Sequence, residues 1–184
     1  MSAQKQTPLD RLNYSGELGV VIDRLAHTYG IGKVVDFSVV EVGYEDCNVV
    51  VETSTSKYLA KIFSKERNQE IITRYSTIME KALVAGVNHP PLIKTSDCEV
   101  FYLDSKANGI SMVLMKFIDG KTFYELNRTP NTEELQSVIE QAAKVNKIDY
   151  HPLYLSDTWA IPNIKEMFER VKQFIEPADL KLVE

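Results

Sequence analysis

The chain has 184 residues, 44% of them hydrophobic and 26% charged, with 21 Lys+Arg against 26 Asp+Glu for a net charge of -5. These fractions are those of a folded globular protein with a sizeable core, and they exclude global disorder. The acidic balance disfavours nucleic acid and anionic membrane surfaces as partners, because both require a basic footprint.

Residues 1–17 are mostly polar and are expected to form a frayed N-terminus. Leu18, Val21, Ile22 and Leu25 follow helical spacing, and Gly30 suits the helix end. Val35, Phe37 and Val39 alternate with Asp36, Ser38 and Val40, which predicts a half-buried strand with the first three facing one way. After the break at 43–46, the β-branched run 48–53 reads as a second strand and 58–63 as a third. Links this short predict antiparallel pairing, since parallel strands need long crossovers.

A helix follows, with Ile71, Ile72, Tyr75, Ile78, Met79, Ala82 and Leu83 as its apolar stripe. Ser64 is the expected cap and Gly86 the expected stop. His89-Pro90-Pro91 cannot continue a helix. Residues 100–103 and 110–117 read as two more strands, joined through Asn108-Gly109, a hairpin signal. Beyond Asp119-Gly120 the pattern turns helical. Asn131 with Glu134 has the capping-box spacing, ahead of an apolar face at Leu135, Val138, Ile139, Ala142 and Ala143. Asn163 with Glu166 opens a similar unit, which Pro177 ends. The expected class is α+β: a five-stranded antiparallel sheet with one inserted helix, then the first helices of a helical region.

Cys47 and Cys98 cannot build a disulfide framework or a four-ligand zinc site, and the three histidines are scattered. No apolar run exceeds four residues, far short of a span of ~20. The N-terminus carries no apolar stretch of the secretory kind. The expected setting is cytoplasmic, with reduced thiols.

Lys61 stands inside the apolar strand Tyr58-Leu59-Ala60-Lys61-Ile62-Phe63. Such a lysine either faces solvent or faces a cleft and holds a polyanion such as a nucleotide phosphate, as a mobile point charge with three donors. Position alone leaves both readings open. A Gly-containing turn at 43–46 precedes it, of the kind that brings backbone N–H groups to phosphate oxygens. It is neither a Walker A loop nor a Gly-x-Gly-x-x-Gly loop. Ser111-Met112-Val113-Leu114-Met115-Lys116-Phe117-Ile118-Asp119-Gly120 runs from an apolar strand into a link between sheet and helices, a common place for a ligand cleft.

The order of these segments resembles the N-terminal lobe of the aminoglycoside phosphotransferase/choline kinase family, nearest to its homoserine-kinase-like branch. The likeness rests on five pieces: Tyr29-Gly30-Ile31-Gly32, Gly43 through Thr53, Lys57 through Phe63, Met79 through Leu83 with Gly86, and Met115 through Gly120. It covers about residues 25 to 150 and implies a nucleotide-binding lobe over 18–119 and a partial helical lobe over 120–184. The resemblance implies that Lys61 holds the α- and β-phosphates of ATP and that the loop with Gly43, Tyr44, Asp46 and Asn48 covers them. The adenine would lie against the hinge, bonded to the Lys116 carbonyl and the Ile118 N–H, with Met115 behind it and Leu59 and Tyr58 near it. Glu70 and Glu80 are the candidate helix partners of Lys61. The position matched to the family's usual glutamate is Ser76.

Mg²⁺ is the implied metal and a hydroxyl of a small metabolite or aminoglycoside the implied acceptor. The family's His-Gly-Asp-x4-Asn catalytic loop is matched by none of His27, His89 or His151. It is expected beyond Glu184, so this chain is expected to hold no catalytic residue and no metal ligand and not to turn over alone. The alternative is a non-catalytic kinase-like module that binds a nucleotide or a protein. The apolar faces after Asn131, left unpacked, would favour self-association or a partner.

Overall fold

The computed structural model describes residues 8–12, 14–41, 45–65, 67–151 and 164–174. By contacts it forms two compact units, Met1–Tyr150 and His151–Glu184. In the first, helix α1 (Leu18–Thr28) precedes strands β1 (Val34–Val40), β2 (Cys47–Thr53) and β3 (Lys57–Ile62). Helix α2 (Gln69–Val84) is inserted before β4 (Leu92–Ile93), β5 (Phe101–Asp104) and β6 (Ile110–Lys116), and α3 (Thr132–Asn146) closes the unit. The second unit contains α4 (Ile164–Val171) and a 3₁₀ turn at Lys172–Phe174.

All pairings are antiparallel, in the order β1-β2-β3-β6, with β4 and β5 both on the outer edge of β6. The architecture is the expected α+β sheet with one inserted helix, enlarged by the two-residue strand β4. Two residues between Pro91 and Lys94 carry no readable period, so β4 leaves no signal in the sequence.

Alternation divides the sheet into two faces. Val49, Val51, Tyr58, Ala60, Ile62, Met112 and Leu114 are buried against Val21, Ile22 and Leu25 of α1. Arg24 of α1 donates through Nε to Asp104 Oδ2 of β5 at 2.7 Å, tying the helix to the sheet. The opposite face carries a second cluster, in which Ile72, Tyr75 and Met79 of α2 pack with Phe63, Val100, Val113 and Met115.

The helix ends follow local chemistry. Gly30 at φ 62° and Gly86 at φ 73° take the left-handed conformation that glycine adopts without strain. Beyond each, Ile31 N–H reaches the Ala26 carbonyl and Val87 N–H the Ala82 carbonyl, closing Schellman-type ends. Asn68, not Ser64, caps α2, accepting from Ile71 N–H at 2.9 Å. Ser64 is buried and its N–H is committed to Asp46. Asn131 and Glu134 form the expected capping box.

Strand β1 departs from the simple alternation. Val34 pairs with Thr53 but Asp36 with Glu52, so a bulge at Val35 changes which residues face the core. Val34 and Val39 pack on the α1 side, while Val35 is 62% exposed. The alternation read from Val35 therefore fails at its first residue.

Helix α3 touches the rest of its unit mainly through polar groups. Gln141 Oε1 accepts from Asn88 N–H at 2.8 Å, and Lys144 Nζ donates to the Gly86 carbonyl at 2.8 Å. Its apolar residues Leu135, Val138 and Ile139 are exposed. The contact boundary thus falls at Tyr150/His151, with α3 on the sheet side of it.

Candidate functional site

The site is built on the sheet face opposite α1. Register places Ser38, Val50, Leu59, Met115 and Leu92 in one row across β1, β2, β3, β6 and β4. The next row is Val40, Asn48, Lys61, Val113 and Phe101. Tyr58, Ala60 and Ile62 are buried on the α1 side, so Leu59 and Lys61 stand on this second face. Lys61 is thus beside a mostly apolar row, with Asn48 as its neighbour on β2.

Lys61 Nζ lies 2.7 Å from Asp46 Oδ2. The Asp46 side chain is only 3% exposed and accepts two further hydrogen bonds, while its backbone carbonyl accepts a third. Arg67 Nε donates to Oδ1 at 2.9 Å, Ser64 N–H donates to Oδ1 at 3.1 Å, and Arg11 Nη1 donates to the Asp46 backbone carbonyl at 3.2 Å. Burial by itself would raise the Asp46 carboxyl; the hydrogen bond and charge of Lys61, then Arg67 and Ser64 N–H, outweigh it and hold the carboxyl below its ordinary value. Arg67 also pairs with Glu45 and lies over the Tyr75 ring of α2, 4.6 Å from its centroid. The Tyr75 ring is in turn 6.3 Å from that of Phe63.

Neither expected helix carboxylate reaches Lys61. Glu70 pairs with Arg74 one turn on, and Glu80 pairs with Lys94 at 3.1 Å. The expected Lys61–helix glutamate pair is replaced by Lys61–Asp46. Ser76 is buried, with its hydroxyl donated to the Ile72 and Thr73 carbonyls. Arg67 went unread in the sequence, because a basic residue in the polar link before α2 has no periodic signature. Gly43 and Tyr44 lie outside the described residues.

At the hinge, Met115 is buried and Ile118 is 60% exposed. Phe117 N–H donates to the Lys57 carbonyl at 3.2 Å, which makes Lys57 and Phe117 the hydrogen-bonded pair on the β3 side. The polar backbone groups of Lys116 therefore face the β4 side, where its N–H donates to the Pro91 carbonyl at 3.0 Å. A hydrogen-bonded antiparallel pair normally exchanges two bonds. Pro91 has no N–H to return the second, so the Lys116 carbonyl receives nothing from its strand neighbour. Among the described residues, no group of three or more His, Cys, Asp or Glu could hold a metal ion, and no helix is long and apolar enough to cross a membrane.

No protein-family model matches the chain, and no curated protein sequence matches it. Among solved structures it is similar to the spectinomycin phosphotransferase APH(9)-Ia in complex with ADP and spectinomycin, with a TM-score of 0.50 and 13% identity. That match covers 84% of this chain and 53% of the other. A GDP complex of an aminoglycoside 2'-phosphotransferase-IIIa variant matches with a TM-score of 0.48 and 11% identity, covering 91% of this chain and 56% of the other. The chain thus spans about half the length of these proteins. It shares the kinase-like fold of an aminoglycoside phosphotransferase, with its antiparallel sheet and inserted helix. The likeness supports that fold and not the homoserine-kinase-like branch.

Proposed function

We propose that the chain is the nucleotide-binding lobe, with the first helices of the helical lobe, of an ATP-dependent small-molecule kinase. The observation that carries this is the placement of Lys61 beside the Val50–Leu59–Met115 row, one face of which ends at the unreturned carbonyl of Lys116. A flat apolar row suits a base, a carbonyl with a free lone pair suits an exocyclic amino group, and a cation next to both suits phosphate. The fold shared with a phosphotransferase whose structure holds ADP supports the same reading.

In this reading Leu59 and Met115 bound the base, the Lys116 carbonyl and Ile118 N–H meet its edge, and Lys61 holds phosphate. Asp46 and Asn48 lie on the phosphate side of the base in this reading. The helical region starting after Asp119 opens the second lobe. The acceptor is an alcohol: the hydroxyl of an aminoglycoside-like, sugar, choline-like or homoserine-like molecule. Mg²⁺ would supply charge neutralisation at the phosphates when bound, and the described residues gather no group of three or more His, Cys, Asp or Glu to hold it. Both described cysteines are free, which suits a reducing cytoplasm. A second reading, a non-catalytic nucleotide- or protein-binding module, is favoured by one observation, the uncovered apolar face of α3.

The test is a calorimetric titration of ATP·Mg²⁺ into the chain and into Lys61→Ala. Asp46 keeps Arg67 and Ser64 N–H when Lys61 is removed, so the variant leaves no bare buried charge. The expected result is binding weakened by about tenfold or more, the scale of a lost charge-assisted contact. Equal heats from both proteins, or no heat from either, contradict the assignment.

A further inference from the structure

We infer that Asp46 is the positioning residue for Lys61: the carboxylate that sets the lysine over the sheet face comes from the residue just before β2, not from α2. The two oxygens of Asp46 are divided between two cations. Oδ2 takes Lys61 at 2.7 Å, and Oδ1 takes Arg67 at 2.9 Å together with Ser64 N–H at 3.1 Å. A carboxylate fixed by three donors and 3% exposed has one orientation, and it fixes the ammonium group that it pairs with.

The helix is coupled to this pair through a different contact. Arg67 holds Asp46 on one side and lies over Tyr75 of α2 on the other, at 4.6 Å from the ring centroid. A shift of α2 would therefore reach Lys61 through Tyr75, Arg67 and Asp46. The helix's own carboxylates are engaged elsewhere, Glu70 with Arg74 and Glu80 with Lys94. Ser76 turns its hydroxyl back onto the helix and offers Lys61 no charge. The consequence is that the group proposed to hold phosphate is positioned by a residue proposed to lie on the phosphate side of the base. That consequence rests on the nucleotide-binding reading above; the pairing itself does not.

Two readouts separate them. The first is the NMR signal of the Lys61 ε-methylene and ammonium group at one fixed pH, without nucleotide. It should move in Asp46→Asn and stay in place in Glu70→Gln and Glu80→Gln. An unchanged Lys61 signal in Asp46→Asn, or an equal change in either helix variant, overturns the inference. The second is the affinity for ATP·Mg²⁺, expected to fall about tenfold in Asp46→Asn, to be partly recovered in Asp46→Glu, and to be unaffected in Glu70→Gln. Wild-type binding matched by Asp46→Asn overturns the inference and leaves the nucleotide reading standing. A Lys61 signal that follows Asp46 in a chain that binds no ATP supports the pairing and removes the nucleotide reading. Should Asp46→Asn fail to fold, Asp46→Glu keeps the charge while lengthening the arm, and the same Lys61 signal must then shift.

Discussion

Lys116 gives its backbone N–H to the Pro91 carbonyl at 3.0 Å and gets no bond in return, because Pro91 has no N–H. The rest of β6 is paired on both sides over most of its length. The unreturned bond falls at the last residue of the strand, where the sheet runs into the link toward α3.

Pro91→Ala should therefore close the pair. The new hydrogen bond is worth about 0.5–1.5 kcal/mol. The loss of proline's restraint on the unfolded chain costs about 0.4–1 kcal/mol. These nearly cancel, so the urea midpoint should hardly move. On the proposed nucleotide-binding reading, affinity for ATP should fall several-fold because the base must share its acceptor with the new N–H, while affinity for inorganic tripolyphosphate stays the same. A parallel loss for both ligands would place the effect at the phosphates instead.

Leu114 and Leu25 belong to the one buried cluster between α1 and the sheet, and both are fully buried. Truncation to alanine at either should destabilise the chain by about 2–5 kcal/mol, as transfer and cavity terms add. Phe37→Ala, on the edge strand and 36% exposed, should cost clearly less. Chemical denaturation with a common slope measures all three.

The capping box of α3 predicts an acid response. Glu134 donates nothing and accepts from Arg128 and from Asn131 N–H, which together hold its carboxyl at about 2, below its ordinary value of 4.5. A carboxyl lowered in the folded state stabilises it above the unfolded value, and that contribution is lost as pH falls through the folded one. Amide exchange in the first turn of α3 should accelerate between pH 4.5 and about 2. In Glu134→Gln that pH step should be missing. Asp46, also lowered, adds to acid destabilisation of the sheet from below its ordinary 3.8.

The two thiols should react differently. Burial pushes Cys47 up to about 11, whereas Cys98 is exposed at a turn with φ 65°. An alkylating reagent at pH 8 should modify Cys98 alone in the native chain and both residues in urea. Native labelling of Cys47 at a comparable rate would mean that β2 opens readily at its first residue.

Much of the fold was readable from short-range pattern. The alternation through Tyr58, Ala60 and Ile62, the stop at Gly86 and the box at Asn131 and Glu134 are each local, and each is present in the structure. What escaped was set by context. The bulge at Val35 depends on how β1 meets β2, and Ser64 lost its cap role because its N–H is drawn to Asp46. The site shows the same division. Lys61 stood out as a charge in an apolar strand. Its partner did not, because residues 46, 61 and 67 converge only once β2 and β3 are in register. The family resemblance pointed to a helix carboxylate, Glu70 or Glu80, whose own neighbours Arg74 and Lys94 take them instead.

The proposed seat of the nucleotide is the face carrying Lys61, and methyl NMR of the chain titrated with ATP·Mg²⁺ locates it. The shifts should concentrate on Val50, Leu59 and Met115, which share one row of the sheet, and weaken in Lys61→Ala. Shifts confined to Val21, Leu25 and Val49 on the α1 side, or none at saturating nucleotide, would contradict it.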